Sequence, residues 1–288
     1  MGWGGLAQDL HLGSWRGSAL AGAGFVLSWL AFRAHRLGRV GPLFSRWAGL
    51  YVHIAAGLGI AWVVFDPSHF LADAPMAAVL AITAAVYAAY TWLSGRQPAL
   101  LVTAVAVTAA ALFESRALGL SSAEVTTELT LLAVIGAGVA HVTSDRILRI
   151  GLRTWMAVQL IGVAGLNPGQ HWVEAADLLI ATAVVAWVAR DSRTPAWLLF
   201  AVSLFVVDWY RLAQTVLPQH AELTIDALVR IYSPLPVLLG LVGLGLRSAA
   251  GRRWAWPLYI YTAWMALAVF FSALSNGQSE LAGLAVLA

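Results

Sequence analysis

Long runs of Ala, Leu, Val and Ile dominate the chain, and its polar residues gather in short clusters between them. A hydrocarbon layer of about 30 Å needs roughly 20 helical residues to cross it, and the runs have about that length. Ten such stretches are predicted, at 17–32, 47–65, 74–93, 98–113, 124–142, 150–166, 172–189, 196–214, 224–246 and 254–274. The first and fourth are short, which predicts tilt or local bilayer thinning there. The fold class that follows is all-α: a polytopic integral membrane protein with about ten transmembrane helices.

The clusters between the runs alternate in charge. One set of alternate loops and nearby helix ends holds thirteen Arg, at 33, 36, 39, 46, 96, 146, 149, 153, 190, 193, 247, 252 and 253. The other set holds four: Arg16, Arg116, Arg211 and Arg230. Of the fourteen acids, only Asp145 and Asp191 fall on the Arg-rich side. Short Arg-rich loops stay in the cytoplasm, so the N-terminus is expected outside, in a protein of the cell's inner (cytoplasmic) membrane.

Polar signposts also recur. "AEVTTEL" at 123–129 is echoed by "AELTIDAL" at 221–228, and "RQPALL" at 96–101 by "RTPAWL" at 193–198. "RLGRVG" at 36–41 resembles "RILRIG" at 146–151, and "DPSHF" at 66–70 resembles "NPGQHW" at 167–172. These spacings predict four-helix repeats, and an even number of spans gives each repeat the same orientation. The expected organisation is an external segment 1–16, repeats at 17–123 and 124–221, and an incomplete third repeat at 222–288. Glu124 and Glu222 would complement the dipole at a helix start, with Thr126 and Thr224 satisfying free backbone groups.

Composition narrows the chemistry. Sixty per cent of the 288 residues are hydrophobic and 11% charged, where a soluble domain has about a quarter charged. All seventeen basic residues are Arg, so no Schiff-base or Walker-type lysine exists. There is no Cys, which removes disulfides, thiolate metal sites and a Cys nucleophile. The pI near 9.6 reflects the cytoplasmic Arg loops and implies no nucleic-acid partner. Many of the fourteen Trp, including Trp47, Trp92, Trp172, Trp187, Trp197, Trp209 and Trp254, fall at predicted span ends as an aromatic belt, while Trp155 and Trp264 lie deeper.

The most unusual stretch is "RIYSPLP", 230–236, inside the ninth span. Pro234 and Pro236 remove the donors for the carbonyls of Arg230 and Tyr232, which predicts a kinked or opened helix. Gly136 and Gly138 take the corresponding places in the fifth span, as a pliable step or a point of close helix packing. Asp208, Arg211, Asp226 and Arg230 are the candidate polar cluster between the eighth and ninth spans, because intramembrane charge needs a partner or a wet cavity. Arg snorkelling to the headgroups beside a structural ion pair is the plainer reading.

His69, His171, Glu174 and Asp177 are outer-loop candidates, although interfacial anchoring explains the histidines and helix-start charge the acids. His53 and His141 lie within spans and are of the type that ligates haem iron or chlorophyll magnesium. Nothing pairs them at a recognisable spacing, and a hydrogen-bonded packing histidine is the plainer reading. No motif implies a cofactor or a bound metal, and no nucleophile–base set or diacid pair marks an enzyme. The function expected is a non-catalytic integral subunit or scaffold packed against partner membrane proteins in the bilayer. The alternative is a transporter or lipid-translocating protein that uses the Pro-broken ninth helix and the outer charge cluster.

Overall fold

A computed structural model describes residues 73–95, 97–166, 171–216 and 224–275, with Gly277 and ten positions before Asp73 that include His53. Of His171, Glu174 and Asp226 it describes the backbone alone. The first two expected spans (apart from isolated positions), His69, Glu222 and the run at 281–288 lie outside the described residues.

Nine α-helices follow one another from Asp73: α1 Asp73–Ser94, α2 Leu100–Leu118, α3 Ser122–Val142, α4 Arg146–Gly165, α5 His171–Ser192, α6 Ala196–Val216, α7 Ile225–Tyr232, α8 Pro234–Ala250 and α9 Arg252–Ser275. The eight stretches expected after residue 73 all fall on helix. Among the described residues, seven helical segments are long and apolar enough to cross a membrane, with α7 and α8 acting as one of them. The chain is an all-α polytopic membrane protein.

One span is longer than its apolar run. The fourth stretch was expected to end at residue 113, before Glu114 and Arg116, yet α2 continues to Leu118. Its polar end is absorbed locally. Ser115 donates to the carbonyl of Ala111 at 2.8 Å and to Glu128 Oε2 at 2.6 Å, and Arg116 Nε lies 3.7 Å from Asp73 Oδ1. Gly119 then ends the helix at φ 67°, with its own N–H and that of Leu120 closing on the carbonyls of Arg116 and Ser115.

The two echoing stretches start helices in different registers. Ser121 caps α3: the Ser121 N–H donates to Glu124 Oε2 at 2.7 Å, and the Glu124 N–H donates to Ser121 Oγ at 3.4 Å. Thr126 does not cap; it is buried inside α3 and donates to the carbonyl of Ala123 at 2.8 Å. In the later stretch Thr224 itself is the cap of α7, accepting from the N–H of Ala227 at 3.3 Å.

The described chain forms two compact units, with α3 and α4 contributing residues to each. In the first, α1 and α2 make an antiparallel hairpin, turned by Gly95 at φ 71° and a 3-10 turn at Gln97–Ala99. Its buried faces are rich in Ala77, Ala84, Ala106 and Ala110, small enough for close approach. Leu148, Leu152 and Ala140 form a core with Leu100, Leu101 and Ala104. In the second unit, α5–α6 and α8–α9 are hairpins. Arg193 turns the former in the left-handed region, at φ 52°, and Thr194 N–H reaches back to the carbonyl of Ala189 at 3.2 Å. Val202, Leu239 and Leu258 make one core, and Val229, Val269 and Ala273 another.

Candidate functional site

In the second unit, four consecutive residues of α6, Asp208-Trp209-Tyr210-Arg211, carry polar atoms in a membrane span. Helical neighbours point about 100° apart, so the four reach in different directions. Trp209 Nε1 donates to the carbonyl of Ile231 on α7 at 2.6 Å. The Tyr210 ring stacks on Tyr232 of α7, with centroids 6.2 Å apart and planes 7° from parallel. Arg211 Nη2 donates to the carbonyl of Leu166 at 3.2 Å, where a cation complements the C-terminal end of α4. Its guanidinium also sits 5.9 Å from the Tyr210 ring.

Asp208 differs from its neighbours. It is 0% exposed, and neither carboxylate oxygen has a hydrogen-bond partner among the described residues. Buried Leu204 and Ala201 lie one and two turns earlier on the same face.

The helix that Trp209 and Tyr210 grip is interrupted. Pro234 is the first residue of α8 and offers no N–H to the carbonyl of Arg230. Ser233 covers that carbonyl, its hydroxyl donating at 3.0 Å. The kink or opening expected from the sequence is thus a gap in the hydrogen-bond ladder: Ser233 keeps helical angles, φ −57° and ψ −34°, and its N–H still reaches Val229 at 2.9 Å. The fixed φ of proline suits a helix, so the spiral continues through Pro234 although one backbone donor is missing. Pro236 follows, buried in the first turn of α8.

Of the expected charge cluster, Asp208 is buried and unpaired, Arg211 bonds to Leu166, and Arg230 is exposed. The side chain of Asp226 lies outside the described residues, and no ion pair joins the other three. Asp177 is buried on α5 and has an interaction partner. It and Arg211 each lie seventeen residues from Thr194, at one level of the α5–α6 hairpin. The side chains of His171 and Glu174 lie outside the described residues, as does His69.

In the first unit, His53 Nδ1 is hydrogen-bonded to the Tyr87 hydroxyl, and its ring meets Tyr90 edge-on at 5.7 Å. His53 and Tyr90 border an open cavity of about 560 Å³, lined also by Gln97, Ser144 and Asp145. Asp145 Oδ1 caps α4 by accepting from Leu148 N–H at 2.8 Å, and Thr143 donates to Gln97 Oε1 at 3.1 Å. His141 is exposed and has a partner of its own. Among the described residues, no group of three or more His, Cys, Asp or Glu converges as a metal site would.

Close glycine packing occurs away from the expected place. α3 runs unbroken through Gly136 and Gly138, and a Cβ on either would meet nothing within 4 Å. The tight points are Gly151, whose Cβ would lie 2.5 Å from Leu101 Cδ2, and Gly243, 2.8 Å from Tyr259 Cε1. Sequence reasoning placed Trp209 in the aromatic belt and passed over Tyr210, Gln97 and Ser144. Four polar-capable residues in a row within a span were the available signal for the first two. The loop residues carried none, because their meeting depends on how two hairpins close. The chain matches no protein-family model, no curated protein and no solved structure.

Proposed function

We propose that the chain is a membrane transport protein whose working element is α6 together with the interrupted α7–α8 span. The observation that carries this is Asp208, fully buried in a span with neither oxygen partnered among the described residues. Burying a lone carboxylate costs several kcal/mol and serves no packing purpose that Ala or Leu would not serve better. Intramembrane acids of this kind mark ion or substrate pathways. The gap at Pro234 supports the same reading, since a span with an interrupted ladder rearranges more easily than a continuous one. The cargo class is a solute or a lipid headgroup. The N-terminus is outside the inner membrane in this reading, as the Arg asymmetry requires.

A native chain without Cys makes the test direct. Ser233→Cys in reconstituted protein should react with a membrane-impermeant thiol reagent, as a hydrated path beside Pro234 requires. A thiol there that stays unreactive from both faces, in folded protein, overturns the transport reading. It leaves the second one, a subunit packed against partner membrane proteins. The open faces of Gly136 and Gly138 favour that reading, because small residues admit a neighbouring helix closely.

A further inference from the structure

Among the buried side-chain polar atoms of the second unit that have no hydrogen-bond partner among the described residues are those of three residues, Thr182 on α5, Asp208 on α6 and Thr262 on α9. Thr130 Oγ1 on α3, Arg211 Nε on α6 and Tyr259 Oη on α9 are the others. Thr182 and Thr262 depart from the pattern of several other threonines of the chain. Thr83, Thr91, Thr108 and Thr154 each donate to the carbonyl four residues back, at 2.8, 2.9, 3.1 and 3.0 Å. A threonine hydroxyl inside a helix can reach that carbonyl in one of its rotamers, and these two are turned away from it.

Helix register sets the three at similar depth. The α5–α6 hairpin turns at Thr194, so Thr182 and Asp208 differ by two residues in height, about 3 Å. Between α6 and α9, Val202 shares a core with Leu258, and the hydroxyls of Ser203 and Tyr261 are hydrogen-bonded. Extending that register puts Thr262 two to four residues from the level of Asp208, about 3–6 Å in height. Thr262 stands one turn beyond Leu258, on the face of α9 that packs against α6.

We propose that Asp208, Thr182 and Thr262 together bind a monovalent cation, either a proton or sodium, within the membrane. All the donors are oxygen, the set that hard cations prefer. One carboxylate neutralises one positive charge, whereas a divalent ion would leave net charge in the span. The other titratable or charged groups on the surrounding elements are His171, Glu174, Asp177, Arg190 and Asp191 on α5, Asp226, Arg230 and Tyr232 on α7, and Arg252, Arg253, Tyr259 and Tyr261 on α9. Tyr210 and Arg211 accompany Asp208 on α6. α9 holds no charged residue after Arg253, so nothing ionic competes with a cation from that side. The role of the site in transport rests on the reading above; its existence does not.

Carbodiimide labelling tests it on the full chain in liposomes. N,N′-dicyclohexylcarbodiimide is apolar and adds a protonated carboxyl across one C=N bond. The reaction is run over a pH series in sodium chloride or in choline chloride of equal strength, and modified peptides are quantified by mass spectrometry. Asp208 should be modified at least about tenfold more than the surface acid Asp191. Its yield should fall as pH rises. Lower yield in sodium than in choline identifies sodium as the ligand, and equal yields identify the proton. Thr182→Val and Thr262→Val should each move the half-effect concentration about threefold or more, the worth of one hydrogen bond. An Asp208 that stays unmodified, modification indifferent to pH and sodium alike, or threonine variants without effect would each overturn the site. Because the readout needs no flux, a labelled Asp208 in liposomes that transport nothing would keep the site and remove the transport role.

Discussion

The indole of Trp209 donates to the carbonyl of Ile231 at 2.6 Å, tying α6 to α7 three residues before Pro234. Phe keeps an aromatic ring there but loses the donor and some of the indole's volume. Trp209→Phe should therefore lower stability by about 1 kcal/mol, read as the thermal midpoint in detergent. An unchanged midpoint would mean that the stacked Tyr210 and Tyr232 hold the two helices by themselves.

Pro234→Ala gives the carbonyl of Arg230 a backbone donor in place of the Ser233 hydroxyl. The ladder from α7 into α8 then closes, and stability should rise by about 1 kcal/mol. In a Ser233→Cys background the same change should slow thiol modification. Faster modification would show that the proline seals the span.

Two glycines of similar sequence context should respond in opposite ways to alanine. A Cβ at Gly243 would sit 2.8 Å from Tyr259 Cε1 and 3.1 Å from Cδ1, so Gly243→Ala must displace a ring packed between α8 and α9. A loss of about 1–3 kcal/mol is expected from such overpacking. Gly138 faces open space, and Gly138→Ala should be neutral or mildly stabilising. Thermal melts of both variants decide it.

Gly95 and Arg193 both turn hairpins in the left-handed region, at φ 71° and 52°. Glycine takes that conformation freely, whereas a side chain there costs roughly 1 kcal/mol. Arg193→Gly should stabilise by about that much and Gly95→Ala should destabilise by a similar amount. Equal shifts of the same sign would show that the side chains, not the backbone, set these turns.

The Arg asymmetry makes a topological prediction across α3. Ser121→Cys should react with an impermeant reagent on intact cells, and Ser144→Cys only after permeabilisation. The opposite pattern would place the N-terminus inside.

Much of the fold was legible because a bilayer accepts few solutions. A run of about 20 apolar residues can satisfy its backbone only as a helix, so α1, α3, α6 and α9 were readable from composition alone. The end of α2 was not. Glu114 and Arg116 read as a boundary, and only contacts with Glu128, Ser115 and Asp73 carry the helix past them. Asp208 was legible as an anomaly, being an acid in an apolar run. Its solitude was not, because i, i+3 spacing offered Arg211 as a partner, and the position of Leu166 gave that arginine another use.

Residue order alone determined the class of the protein, the approximate places of its spans, the break at Pro234 and the charge difference between its loops. Those follow from local chemistry: transfer of side chains into lipid, a missing N–H, and the sign of arginine. Tertiary structure decided which polar atoms meet. Trp209 finds Ile231, Ser115 finds Glu128, and Thr182, Asp208 and Thr262 find no protein partner among the described residues. Such meetings depend on the rotation and register of helices far apart in sequence, and the similar Ala- and Leu-rich faces of this chain carry little information about either.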